Sequence, residues 1–458
     1  MAFITSGSSD QPSSGQGGLF EGVTTYHWLV LIIATMGWMF DCMDQRIFIL
    51  ARGSAIKELL DGSDGASKEV LDAYGRWATM AMILGWATGG IFFGMMSDKV
   101  GRVKTMVATL LVYSGFTGLS AVSVSYWDFL LYRFLVGLGV GGMFGAAAAL
   151  VAESVPGRVR SLALGSLQAL SAVGNITGSL ISYWTAPGLP ATLLGWEIDG
   201  WRALFLVGIL PSLLVIPIVL FLREPDAWKH AKEAADRGDV GKQLGTIPDL
   251  FRHPRWRHNT LVGLGLGVSG MIGLWGIGFF TPELIDRALA DLPKEQVAET
   301  KSLCTALQDV GAFLGMCVFT VLATYWGRRW AFLCAFIIPL FTVSYTFFFL
   351  NSVSDAYWML PLVGFGTLMP FGGYSIYFPE LYPTRLRGVG IGFCYNVGRY
   401  ATAAFLLVSG YFTIWLAESG VDQPFRVGAV IFCSIFFLGM LTLIWAPETK
   451  GQPLPEDN

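Results

Sequence analysis

The chain has 458 residues, of which 53% are apolar and 14% charged, with 56 glycines and a formal net charge of −3. That balance lies outside the usual soluble range and inside the membrane one, and so small a charge gives no footing for a nucleic-acid partner. Six cysteines scattered through apolar stretches and four separated histidines form no disulfide framework and no metal-ligand spacing, so neither a metal nor another cofactor is expected.

Residues 1–26 are rich in Ser and Gly, lack Lys and Arg, and read as a tail, not as a cleaved signal peptide. Crossing a bilayer core takes roughly 20 apolar residues as a helix. Twelve runs of about that length follow, at 27–50, 74–96, 105–124, 127–150, 161–183 and 201–221, then at 260–281, 302–323, 330–350, 356–378, 389–415 and 425–446. The polar stretch 222–259 between the sixth and seventh reads as a linker, and 447–458 as a C-terminal tail. The expected fold is therefore an all-α membrane protein of twelve transmembrane helices in two bundles, 27–221 and 260–446. Lys and Arg concentrate in the loops on one side and in the linker, although 51–76 also carries four of them. By the positive-inside rule that side, with both tails, faces the cytoplasm across an inner (plasma) membrane.

Helix one sets Asp41 and Asp44 deep in an apolar run. At about 100° per residue the two share a face, whereas Arg46 points elsewhere and is expected to snorkel outward. On helix four, which runs back inward, Arg133 reaches a depth close to that of Asp44. A buried acid and base at matching depth read as a switchable pair, since burial and a nearby guanidinium pull a carboxylate's proton affinity in opposite directions. The glycines following Arg133 on helix four read as close packing; no strand precedes them, as a phosphate-binding loop would need. Arg399 on helix eleven lies near the midplane. A planar guanidinium with five donors suits a carboxylate in a dry pocket, and an ion pair with Asp309 of helix eight is the competing reading. Gln168, Asn175, Trp275, Gln308, Tyr374, Tyr377 and Asn396 are polar or aromatic candidates to complete a pocket.

The two halves repeat. "AESVPGRVRSLALG" and "PELYPTRLRGVGIG" match at Glu153 and Glu380, Arg158 and Arg385, and Arg160 and Arg387, as expected for two bundles about a pseudo-twofold axis. The most specific local pattern is "GMMSDKVGRVK", with Gly94, Asp98, Lys99, Gly101 and Arg102 between helices two and three. This G-x-x-x-D-K-x-G-R pattern resembles the signature of the major facilitator superfamily. The resemblance implies that Asp98 latches an inner gate against the N-terminal end of helix eleven. The counterpart "LATYWGRR" keeps Gly327, Arg328 and Arg329 but has Thr324 and Tyr325 in place of the acid and base, so the second latch lacks its carboxylate. "YRFLVGLGVGG" resembles the helix four signature of that family and "REPDAW" its acid-proline stretch after helix six, while the ending "PETKGQPLPED", with "PELYPTRLRG", is similar to the branch holding sugar porters, metabolite/proton symporters and organic-ion transporters.

That resemblance implies proton coupling through Asp41, Asp44 and Arg133, and a substrate position at Arg399 that is basic in anion carriers. The expected function is proton-coupled symport of a small organic anion, a monocarboxylate or aromatic acid, by a monomeric carrier working by alternating access. A sugar/proton symporter ranks second, because helix seven has no Gln or Asn; an organic-cation carrier or an anion exchanger follows. With no nucleophile, metal cluster or nucleotide loop, an enzyme is not expected.

Overall fold

A computed structural model of the chain describes residues 20–60, 68–185, 190–193, 196–238 and 243–456. Most of the expected N-terminal tail, residues 1–19, lies outside them. In the first half come α1 (Thr25–Leu60), α2 (Lys68–Val100), α3 (Arg102–Ser120), α4 (Tyr126–Ser154), α5 (Gly157–Ala169), α6 (Ser171–Thr185), α7 (Gly200–Val207) and α8 (Val215–Phe221). The linker contributes α9 (Asp226–Asp236) and α10 (Ile247–Arg252). The second half holds α11 (Pro254–Met271), α12 (Thr281–Ala288), α13 (Lys294–Tyr325), α14 (Arg328–Phe349), α15 (Val353–Leu381), α16 (Thr384–Glu418), α17 (Pro424–Phe432) and α18 (Ile435–Thr442).

Among the described residues, ten helical stretches are long and apolar enough to cross a membrane by themselves. The third and fifth expected spans correspond to α3 and to the pair α5 and α6, which breaks at Leu170. Two expectations need correction. The outer loop foreseen at 51–76 is largely helix, because Ala51 to Leu60 keep good helix formers and Glu58 docks on Arg202 at 2.7 Å. The seventh span is not one regular helix: between α11 and α12 lie a π-helical turn, Ile272–Ile277, and a short 3-10 turn, Gly278–Phe280. Strand also occurs, as the hairpin β1 (Pro190–Leu193) and β2 (Trp196–Asp199), which pairs Ala191 with Ile198.

Small residues let the helices that carry the site approach closely. A Cβ at Gly141 of α4 would stand 2.1 Å from the Trp86 carbonyl oxygen of α2, so the glycine run of α4 is a packing seam. Across the halves, a Cβ at Gly90 of α2 would stand 1.9 Å from the Asn396 amide of α16. The seam between α2 and α16 therefore sets the position of the residues around Asn396.

Candidate functional site

Buried polar residues form three groups, of which the second and third join the two halves. The first is on the N-terminal half, about 24–29 Å along α1 from Thr25 at 1.5 Å per residue. Asp41, Asp44 and Arg133 are each 0% exposed. Thr117 of α3 donates to Asp44 Oδ1 at 2.6 Å, while Arg133 donates to Ser120 one turn further along α3. The Arg133 guanidinium is enclosed by the rings of Phe205, Phe48 and Phe129, with centroids at 4.6, 5.6 and 5.6 Å. Its Nε and Nη1 and Asp44 Oδ2 make no hydrogen bond, and the oxygens of Asp41 have no well-formed one, only the Tyr113 hydroxyl of α3 beside them. Buried polar atoms are nearly always paired, so such a cluster marks a place where a proton, a water or a rearrangement completes the bonding.

The second group surrounds Arg399, 3% exposed on α16. Its Nη1 donates to Asn396 Oδ1 at 2.7 Å and to the Tyr395 carbonyl at 2.9 Å. Its plane stacks on Trp86 of α2 at 3.8 Å and on Tyr395 at 4.7 Å, and Nε is unpaired. Among the described residues no carboxylate pairs with it. The ring of Trp275, set in the π-helical turn, lies 6.1 Å from that of Trp86, and Tyr395 also stacks on Phe144 of α4 at 4.2 Å. Residues from both halves thus build an aromatic box around one cation. π turns inside helices recur at functional sites, and the one that follows α11 places Trp275 there.

Asp309 is not the partner of Arg399. It forms an ion pair with Arg46 of α1, joining the two halves. The expectation that Arg46 snorkels outward is overturned for the same reason: α13 brings a carboxylate to it before it reaches the surface. Other candidates are occupied elsewhere or stand apart. Tyr374 donates to the Leu266 carbonyl at 2.6 Å and Tyr377 to the Pro447 carbonyl at 2.7 Å. Gln308 accepts from Thr281 at 3.2 Å. Gln168 is buried at the α5 end with Oε1 unpaired, and Asn175 is half-buried on α6.

The third group closes the linker face. Asp98 accepts from Arg102 and from the backbone N–H groups of Gly388 and Val389 on α16, all at 2.8 Å. The acid thus meets the second turn of α16, one turn beyond its N-terminus. Gly94 supports this approach, since a Cβ there would stand 2.7 Å from the Gly388 oxygen. Arg102 and Arg387, from opposite halves, share Glu153 at 2.9 and 2.5 Å. Arg385 holds the linker through Asp249 at 2.9 Å. Lys99 is exposed, Arg158 makes an exposed pair with Glu21 at 3.4 Å, and Arg160 is partly buried near Glu380.

The counterpart in the second half has no Asp98 equivalent, yet it still crosses the interface. Arg328 pairs with Glu380 at 2.6 Å and donates to Ser161 of α5 at 2.6 Å. Reading the sequence missed Ser161, Trp228, Glu224 and Glu448. Trp228 of α9 donates to the Asp98 carbonyl at 2.7 Å. Glu224 accepts the first backbone N–H groups of α3, from Arg102, Val103 and Lys104, and Glu448 those of α14, from Arg328 and Arg329. Each capped helix follows a glycine at positive φ, Gly101 at 126° and Gly327 at 105°, where a side chain would be strained. Burial raises the Glu224 proton affinity despite those N–H groups. At Glu448 burial pushes the same way, but the N–H groups of Arg328, Lys450 and Arg329 prevail and hold it below the ordinary value. The signal for both acids lay in their matching places in "REPDAW" and "PETKG", after the last helix of each half.

The family model described as Major Facilitator Superfamily matches residues 36–406. The chain belongs to that superfamily. It is 28% identical over 443 residues to a putative metabolite transport protein of Haemophilus influenzae, covering 94% of this chain and 99% of that one. It is 29% identical over 377 residues to the cis,cis-muconate transport protein of Acinetobacter baylyi, covering 81% and 84%. The fold resembles that of the proton:xylose symporter XylE, with a TM-score of 0.75, 16% identity, and coverage of 94% of this chain and 98% of that one. As a superfamily member the protein is an integral membrane transporter, not an enzyme. The three buried polar groups are the candidate transport site.

Proposed function

We infer that the protein is a proton-coupled symporter of a small organic anion, a monocarboxylate or aromatic acid, working by alternating access. The observation that carries this reading is the Arg399 guanidinium. It is buried between the halves, stacked on Trp86 and Tyr395, and bonded only to neutral partners among the described residues. A buried charge without a counter-charge is costly. A carboxylate entering the box supplies the missing charge and two acceptors for the guanidinium fork, while the rings cover its apolar or aromatic body. Asp309, already paired with Arg46, does not compete. That a relative is named for muconate, a carboxylate, supports the same reading.

Asp41, Asp44 and Arg133 couple the proton, the two carboxylates as its carriers and the guanidinium as the charge that governs their affinity for it. With the outer side open, Asp41 or Asp44 takes up a proton, and the cargo then binds at Arg399. Closure of the outer side is compensated by opening of the latch formed by Asp98, Glu153, Arg102 and Arg387, and both cargoes leave at the linker face. That face is the cytoplasmic one of an inner (plasma) membrane by the positive-inside rule, the halves at 27–221 and 260–446 move as units, and a monomer suffices.

Uptake of labelled carboxylates, sugars and organic cations into proteoliposomes tests the reading, with and without an inward proton gradient. Carboxylate uptake driven by the gradient and absent in Arg399→Ala is expected. Sugar or cation uptake with indifference to carboxylates would overturn it.

A further inference from the structure

The proton-carrying reading leaves unexplained why a fully buried acid and a fully buried base, close enough for their charges to act on each other, make no ion pair. The answer lies on α3. Thr117 and Ser120 stand one turn apart on the same face, and each holds one of the two groups. The polarity of the hydroxyls is fixed by their surroundings. Ser120 spends its proton on the Phe116 carbonyl at 2.8 Å, so only its lone pairs face Arg133. Thr117 gives its proton to Asp44. The Phe48, Phe129 and Phe205 rings then confine the guanidinium on its remaining sides.

We propose that Thr117 and Ser120 form a hydroxyl spacer that holds Asp44 and Arg133 apart and so sets the pH at which Asp44 takes up the transported proton. They are positioning residues. Thr117 favours the ionised acid by donating to it, and Ser120 disfavours it by keeping Arg133 away. The remaining titratable or charged groups around Asp44 are Asp41 on its own helix and Tyr113 on α3, while the segment after α7 brings Gly208 against it. None of these is altered by changing the two hydroxyls. The proposal rests on the proton-coupling reading above and names the device that tunes it.

The test replaces each hydroxyl and follows two readouts. One is the pH dependence of gradient-driven uptake in proteoliposomes. The other is the pH dependence of Asp44 modification by dicyclohexylcarbodiimide, which attacks protonated buried carboxyls, read by mass spectrometry. Ser120→Ala releases Arg133 toward Asp44, and both midpoints move to lower pH by about one unit. Thr117→Val removes a donor to the carboxylate, and both move to higher pH by about one unit. Thr117→Ser keeps the donor and restores the wild-type midpoint, which separates the hydroxyl's role from packing. Midpoints that stay fixed while the amount of uptake falls, or that move in the same direction in both variants, would overturn the spacer. Wild-type uptake indifferent to pH would instead overturn proton coupling, and the Asp44 modification midpoints would still decide the spacer.

Discussion

Replacing Asp98 by Asn removes one negative charge from the closed linker face while leaving its volume almost unchanged. The carboxylate accepts from three donors, the Arg102 guanidinium and the N–H groups of Gly388 and Val389. An amide offers a single acceptor oxygen and turns its NH2 toward a donor, so at least one charge-assisted hydrogen bond across the halves is lost. Such a bond contributes about 2–3 kcal/mol, which raises the open population of that face roughly 30- to 160-fold. Arg102 itself stays anchored by Glu153 and by the Ser97 and Thr384 carbonyls, so the half-bundle keeps its fold. Position 145 reports the opening. A Cβ at Gly145 fits between the halves beneath the latch, 3.9 Å from the Gly388 oxygen and from the Gly392 nitrogen. In a chain whose six native cysteines are replaced by serine or alanine, the labelling rate of Gly145→Cys by a polar maleimide scales with the open population. Asp98→Asn should speed that labelling by the same factor. An unchanged rate would refute the assignment of Asp98 as the bond that holds the linker face shut.

The Arg46 to Asp309 pair should act as a fastener between the halves. Arg46→Gln and Asp309→Asn each slow uptake several-fold, and the exchanged pair Arg46→Asp with Asp309→Arg recovers part of it, measured by initial rates in proteoliposomes. Glu448 supplies a pH dependence of stability. Its folded proton affinity lies below the ordinary value of 4.5, held there against burial by the N–H groups of Arg328, Lys450 and Arg329. Its contribution is therefore complete above about pH 4.5 and is lost as the pH falls through the lowered folded value. Thermal unfolding in detergent at pH 7 and below pH 4.5 should accordingly show a smaller acid loss in Glu448→Gln than in the wild type.

The membrane class and the fold were legible because they rest on run length and on the motif around Asp98, both local properties. The same holds for the depth of Asp41, Asp44 and Arg133, which follows from counting along a helix. Contacts between distant segments were not. Helical geometry placed Arg46 off the face of Asp44, but nothing in residues 27–50 reveals that Asp309 comes to meet it from the other half. The hydroxyls of Thr117 and Ser120 were equally silent, since Ser and Thr recur in membrane helices and usually bond their own backbone, as Thr105 and Thr346 do here. The break in the seventh span left no proline within residues 260–280 to mark it. The capping acids Glu224 and Glu448 occupy equivalent places in the two halves, but the helices they cap begin 122 and 120 residues earlier in the chain, a contact that local sequence does not carry.

The account stands on a buried guanidinium that awaits a carboxylate. Equilibrium binding to the purified protein, measured by calorimetry with an aromatic carboxylate and with its neutral amide, tests this most directly. The wild type is predicted to bind the acid and not the amide, and Arg399→Ala to lose the acid while Arg46→Gln retains it. Equal binding of acid and amide by the wild type, or binding of the acid unimpaired in Arg399→Ala, would contradict it.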